Sequence, residues 1–194
     1  MKKIILSALL ISGLMTANAS VFMYSVSLSG PNEAPPNASP GIGSGTIDYD
    51  NVARTLSFNV SFSGLLGTVT AAHIHGPTAT PFTGTAGVVL SPGTLSGFPV
   101  GVNSGSYINV LDLSLTATYP AAYITANGGT TLGAEAAITG AMAAGRTYLN
   151  VHSTSFPGGE IRGFLTAVPE PSNLALLALG AIGVAAKARR SNRV

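Results

Sequence analysis

Polar and apolar residues alternate along most of the stretch from Val21 to Thr166. A period of two sends successive side chains to opposite faces of an extended strand. In Thr55 to Phe62, Leu56, Phe58, Val60 and Phe62 fall on one face and Ser57, Asn59 and Ser61 on the other. That is the signature of a strand buried on one side. Val21 to Leu28 repeats it, with Phe22, Tyr24, Val26 and Leu28 together. Further strands are predicted over Gly45–Asp50, Val69–His75, Val88–Ser91, Ser106–Ser114, Tyr148–Ser153 and Glu160–Thr166. Clusters such as Gly30-Pro31-Asn32 and Pro157-Gly158-Gly159 separate them. Only Gly133 to Gly145, rich in alanine, reads as a short helix. Many short strands with frequent turn signals predict a mainly β protein, an antiparallel sandwich or barrel.

The two ends follow a different rule. Met1-Lys2-Lys3 precedes an apolar run from Ile4 to Met15, and Ala17-Asn18-Ala19 supplies the small-x-small pattern of signal-peptidase cleavage. Residues 1–19 therefore read as a signal peptide cut after Ala19. At the other end, the apolar run Leu174 to Ala186 is followed by Lys187, Arg189 and Arg190. The run has no polar face, and with its flanks (172–187) it is just long enough for a short transmembrane helix. The basic cluster behind it acts as a stop-transfer signal. The chain thus divides into 1–19, a body over 21–167, and an anchor segment over 168–194.

This division changes the meaning of the charge. The formal net charge is +2, from nine basic and seven acidic residues. Six of the nine basic residues lie in the two end segments, leaving Arg54, Arg146 and Arg162 against Glu33, Asp48, Asp50, Asp112, Glu135 and Glu160. The body is mildly acidic and has no basic cluster to track phosphates, which excludes nucleic-acid binding. The absence of cysteine excludes disulfides, thiol catalysis and Cys-ligated metals.

Candidate chemistry rests on the three histidines. His73-Ile74-His75 places two imidazoles on one face of a strand. Tyr148, Asn150 and His152 share one face of another, opposite Leu149 and Val151. Two readings follow. Three neutral imidazoles can hold copper or zinc, with Glu160 as a fourth ligand or as an orienting group beside His152. Alternatively, His, Asn, Tyr, Glu and Arg satisfy one another in a structural polar network, with Glu160 and Arg162 on a common face. No local context selects a serine nucleophile or a carboxylate pair for catalysis.

Two resemblances add to this reading. Pro169-Glu170-Pro171, the apolar run and Arg189-Arg190 resemble the PEP-CTERM sorting signal. That resemblance implies signal peptidase and exosortase as processing partners and a Gram-negative bacterial source. It further implies transient inner-membrane anchoring, then release to the cell surface or an exopolysaccharide matrix. Gly30-Pro31-Asn32-Glu33-Ala34-Pro35-Pro36, Ala72-His73-Ile74-His75-Gly76-Pro77, Tyr148-Leu149-Asn150-Val151-His152 and Gly159-Glu160-Ile161-Arg162-Gly163 are similar, in order, to the CHRD (chordin-type) domain. Ser153, Phe156 and Phe164 depart from its pattern. The CHRD resemblance implies an Ig-like, superoxide-dismutase-like β-sandwich with no established catalytic activity or cofactor, and so a binding or structural module rather than an enzyme. Dismutase chemistry is not carried over, because a copper-only site of that type uses four histidines and this chain has three.

Overall fold

The structure is a computed structural model and describes residues 20–169. The expected signal peptide with Ala17 and Ala19 lies outside the described residues. So do Glu170, Pro171, the membrane segment 172–187 and Arg189-Arg190; Pro169 is the last described position. No helix among the described residues is long and apolar enough to cross a membrane.

Nine antiparallel strands form one curled sheet. They are β1 (Val21–Ser29), β2 (Ile42–Asp50), β3 (Thr55–Ser63), β4 (Val69–His75), β5 (Val88–Leu90), β6 (Gly105–Asp112), β7 (Tyr148–Ser153), β8 (Ile161–Phe164) and β9 (Thr166–Ala167). The spatial order is β5-β4-β7-β8-β1-β2-β3-β6, with β9 also on β1. The predicted strands are all present, within a few residues at their ends. The stretch Glu160–Thr166 is divided, so that β8 and β9 each take part of it.

Alternation explains which way each strand faces. Leu56, Phe58, Val60 and Phe62 of β3 are all buried, as are Tyr24, Val26 and Leu28 of β1. Phe22 continues the same face but is half-exposed at the strand's outer end, where it stacks on Tyr49 at 6.0 Å. The β2–β3 connection closes on Asp50, whose Oδ1 accepts from the N–H groups of Val52 and Ala53 at 2.8 Å each.

The sheet folds over along the β8–β1 seam, where Ser29 pairs with Arg162. Gly163 makes that approach possible: a Cβ there would lie 2.1 Å from the carbonyl oxygen of Ser27. Folding over brings Ile47, Phe58 and Val60 from one half against Ile74, Leu149, Val151 and Ile161 from the other, in a single core cluster. Each such side chain contributes about 1.5–3 kcal/mol on full burial. The two packed halves are the expected β-sandwich.

Two helices cover one end. The expected helix is α2 (Thr131–Ala143), and α1 (Ala121–Ala126) precedes it, unread in the sequence because six residues with no buried position carry no periodic signal. α2 starts at Thr130, whose hydroxyl oxygen accepts from Gly133 N–H at 3.1 Å. It buries Ala134, Ile138 and Met142 in the core. Its Glu135 is clamped by Arg54 at 2.6 Å and by the Tyr49 hydroxyl at 2.8 Å.

Candidate metal centre

The register of β4 against β7 builds the site. His73 lies opposite Asn150, His75 opposite Tyr148, and Ala71 opposite His152. The five larger side chains share the outer face of the pair, away from the core. Ala71 is small enough to leave His152 free to lean toward His73. The rings sit 5.1 Å (His73–His152), 5.6 Å (His73–His75) and 6.1 Å (His75–His152) apart by centroid.

Each imidazole has one nitrogen committed and one free. His73 Nε2 bonds to the carbonyl of Gly93, His75 Nδ1 to that of Ala86, and His152 Nδ1 to that of Pro157, each at 2.9 Å. A carbonyl can only accept, so those ring nitrogens carry the proton. In the neutral rings the remaining nitrogens, His73 Nδ1, His75 Nε2 and His152 Nε2, are lone pairs. All three are buried with no partner. One ring nitrogen from each histidine lies within 4.8 Å of those of the other two. Burial, with the mutual repulsion of the rings, lowers the pKa of His75 to about 4, and burial likewise lowers that of His152. Both are thereby kept neutral, the form that binds metal.

The residues fit a metal. Carbonyl-anchored imidazoles with converging lone pairs form the donor set and the outer-shell orientation that copper and zinc use. Tetrahedral Zn–N bonds place donors about 3.3 Å apart, so small ring rotations would close the site. The structural-network reading requires the rings to satisfy one another or their polar neighbours. Each ring's one hydrogen bond goes instead to a backbone carbonyl, while His73 meets the other two rings edge-on and His75 stacks on Tyr148.

Glu160 does not stand with the histidines. The chain bends at Gly159 (φ 132°) and Glu160, just before β8 begins, so strand alternation does not extend to it. Its carboxylate turns into the protein, fully buried. Oε1 accepts from Ser39 Oγ at 2.6 Å and Leu66 N at 2.5 Å; Oε2 accepts from Gly67 N at 3.2 Å and from Ser153 Oγ. Burial pushes its pKa up, but these four hydrogen bonds outweigh that and hold it below the usual carboxylate range. With no lone pair facing the imidazoles, it is neither a ligand nor an orienter of His152. It ties three loops to β7.

Arg162 likewise parts from Glu160. It points to the outer face, its guanidinium 4.9 Å from the centroid of the Tyr148 ring and its Nε 3.9 Å from Glu33 Oε2. Tyr148 stacks in turn on His75, 4.9 Å away and within 4° of parallel. Tyr148, Asn150, Arg162 and Glu33 are all at least nine-tenths buried. Sequence reasoning did not single out Glu33. The signal available was its place in the Gly-Pro-Asn-Glu-Ala-Pro-Pro segment, but nothing local says that this loop folds over β7.

With the fold and its paired motifs in place, comparison with known families is decisive. A model of the CHRD domain matches residues 24–165. The chain belongs to the CHRD-domain family. A PEP-CTERM protein-sorting motif matches residues 167–190, directly after the CHRD domain. No curated protein and no solved structure gives a significant match. The sorting motif is a recognition signal for exosortase processing, so this CHRD-domain protein is an exported, exosortase-sorted extracellular protein.

Proposed function

We propose that the CHRD domain of this chain is a mononuclear metal-binding module, displayed at the cell surface and loaded with copper or zinc by His73, His75 and His152. The observation that carries the reading is the convergence of three buried, unpartnered ring nitrogens, each backed by a carbonyl-bound N–H. An all-nitrogen donor set favours copper over zinc at equal availability. A bound ion would supply a Lewis-acidic or redox-capable centre with room for one outside ligand. The protein's own part is to orient the rings and hold His75 and His152 neutral. No Asp or Glu joins the histidines among the described residues, and we read the domain as a binding and structural module rather than an enzyme.

Elemental analysis of the untagged full chain, purified in mild detergent after exposure to copper or zinc, tests this. About one equivalent of metal is expected, lost in the His73→Ala/His75→Ala variant. An empty wild type removes the proposal. The address is tested separately by deleting Pro169 to Val194. The truncated protein is expected free in the medium or periplasm, and its persistence at the surface would contradict exosortase-dependent display.

A further inference from the structure

A second site lies on the same outer face, beyond Tyr148, at the seam between β8 and β1. A cleft of about 520 Å³ opens there, floored by Arg162 and Phe164 and walled by β1 and the loop carrying Phe82 and Thr83. It is independent of the histidines, none of which lines it.

Arg162 is a charge held in place without a full counter-charge. Its side chain is 6% exposed. Nε donates to Asn32 O at 2.5 Å and Nη1 to Gly84 O at 3.1 Å. Both partners are neutral carbonyls. Glu33, the one carboxylate beside it, has its pKa pushed up to about 7 by burial, against the pull of Arg162 and a bond from the Ala34 N–H. Nη2 bonds to no acceptor among the described residues and is not fully buried. Burying an arginine costs several kcal/mol before it gains partners. Here the partners leave both the charge and one donor edge available.

Phe82 is also placed at a cost. Its φ of 57° puts a bulky residue in the left-handed region, yet 56% of it is exposed. It is fixed there by its N–H, which donates to Gly145 O at 2.8 Å. Its ring lies flush on Gly145, where a Cβ would come within 2.3 Å of Cζ. It meets Phe164 edge-on at 6.2 Å. Strain that holds an aromatic ring out toward water does nothing for the core; it does present an apolar face at the mouth of the cleft. Ser25, Ser27, Thr83 and Thr166 line the same cleft and give it a hydroxyl-rich wall.

We propose that this cleft binds a carboxylate-bearing saccharide unit, a uronate. The planar guanidinium edge matches a carboxylate. The hydroxyls match a polyol, and the aromatic face matches the C–H face of a pyranose ring.

Isothermal titration of the full chain in mild detergent with trigalacturonate is the test, with a neutral trisaccharide and a sugar phosphate as parallel arms. Saturable binding is expected for the uronate alone, weakening with salt. Phe82→Ala should weaken it about fivefold or more with an unchanged melting temperature. Arg162→Lys, which keeps the charge but loses the fork, should weaken it about tenfold. The proposal fails if trigalacturonate gives no saturable signal, if the neutral sugar binds equally, if the sugar phosphate is preferred, or if Phe82→Ala binds like the wild type. Each outcome is independent of metal content, so failure here and failure of the histidine site are separable.

Discussion

The two halves of the sandwich share one core and differ on their outer faces. On β1, β2, β3 and β6, the outer face is mostly bare, with half-buried Asp48 of β2 as an exception. Register places Ser27, Ser44, Ser61 and Ser106 side by side across four strands, and all four are exposed. On β7 and β8, the outer face is covered: Tyr148, Asn150 and Arg162 are as buried as core residues. The loops after β1 and β4 lie over them, carrying Glu33 and Thr78 into buried positions. A polar group facing water needs no protein partner, whereas one facing a covering loop does. Unpaired exposed polar atoms are therefore uninformative on the first half. On the second, the three free imidazole nitrogens are buried without partners, as are Asn150 Oδ1 and Glu33 Oε1 on the same covered face.

The most severe way to break this contrast is to remove the group that holds the covered half together. Glu160 receives four hydrogen bonds inside the protein, so Glu160→Ala strands four donors at once. A loss of at least about 3 kcal/mol is expected, given about 1.5–3 kcal/mol for a bond to a charged group. That is a large share of the stability of an ordinary domain. Chemical denaturation followed by circular dichroism measures it, and a loss below about 1 kcal/mol would show that the clamp is incidental.

The metal site comes next. Saturating copper or zinc at about 100 times the dissociation constant should add about 2.7 kcal/mol, seen as a higher melting temperature. His152→Ala separates the two readings of the histidines. If the ring is a ligand, the variant loses the metal-induced gain but melts close to the metal-free wild type. If it is structural, it melts several degrees lower whether or not metal is present.

The sequence made the histidine side of this half legible and hid the rest for identifiable reasons. Period-two alternation is local, so it could place His73 with His75, and His152 with Tyr148. The one fact still needed was the β4–β7 pairing, which joins segments some 75 residues apart. Glu160 was misread for the opposite reason: alternation was extended one residue past a bend set by the left-handed φ of Gly159. The covering loops have no period to read. Glu33 and Phe82 thus gave no warning that they would end up beside Arg162. The fold itself was nearly all legible, because strand faces depend on the same local alternation.

Two buried carboxylates give a subtler test, since they titrate in opposite senses. Glu33 has its folded pKa raised, mainly by burial, from 4.5 to about 7. The folded state then binds more protons than the unfolded one between those values, so this group makes stability fall as pH rises through that window. Glu160 has its folded pKa lowered. Its contribution is present above the unfolded value and is lost as pH falls through the folded one. His75, lowered to about 4, makes stability rise with pH between about 4 and 6.5. A direct pH profile mixes these three with His152, whose pKa burial also lowers. The wild-type stability minus that of Glu33→Gln isolates Glu33 and should decline from pH 4.5 to 7, then level off. A flat difference would mean that Glu33 is ionised in the fold and fully paired with Arg162.

The smallest effect belongs to the bare half, and its smallness is what the contrast demands. Ser44→Ala and Ser61→Ala remove hydroxyls from the middle of the exposed row. Neither hydroxyl bonds to any protein group among the described residues, and their removal should change stability by less than about 0.5 kcal/mol each. Ser153→Ala makes the same chemical change on the other half. There the lost hydroxyl donates to Glu160 and also accepts from the Phe156 N–H at 3.2 Å. About 1–3 kcal/mol is expected for stranding such buried partners. Thermal melts of the three variants side by side would measure burial with the chemistry held constant. A loss above about 1 kcal/mol at Ser61 would mean that the serine face is not bare in solution, and that a partner or a second copy covers it as the loops cover β7.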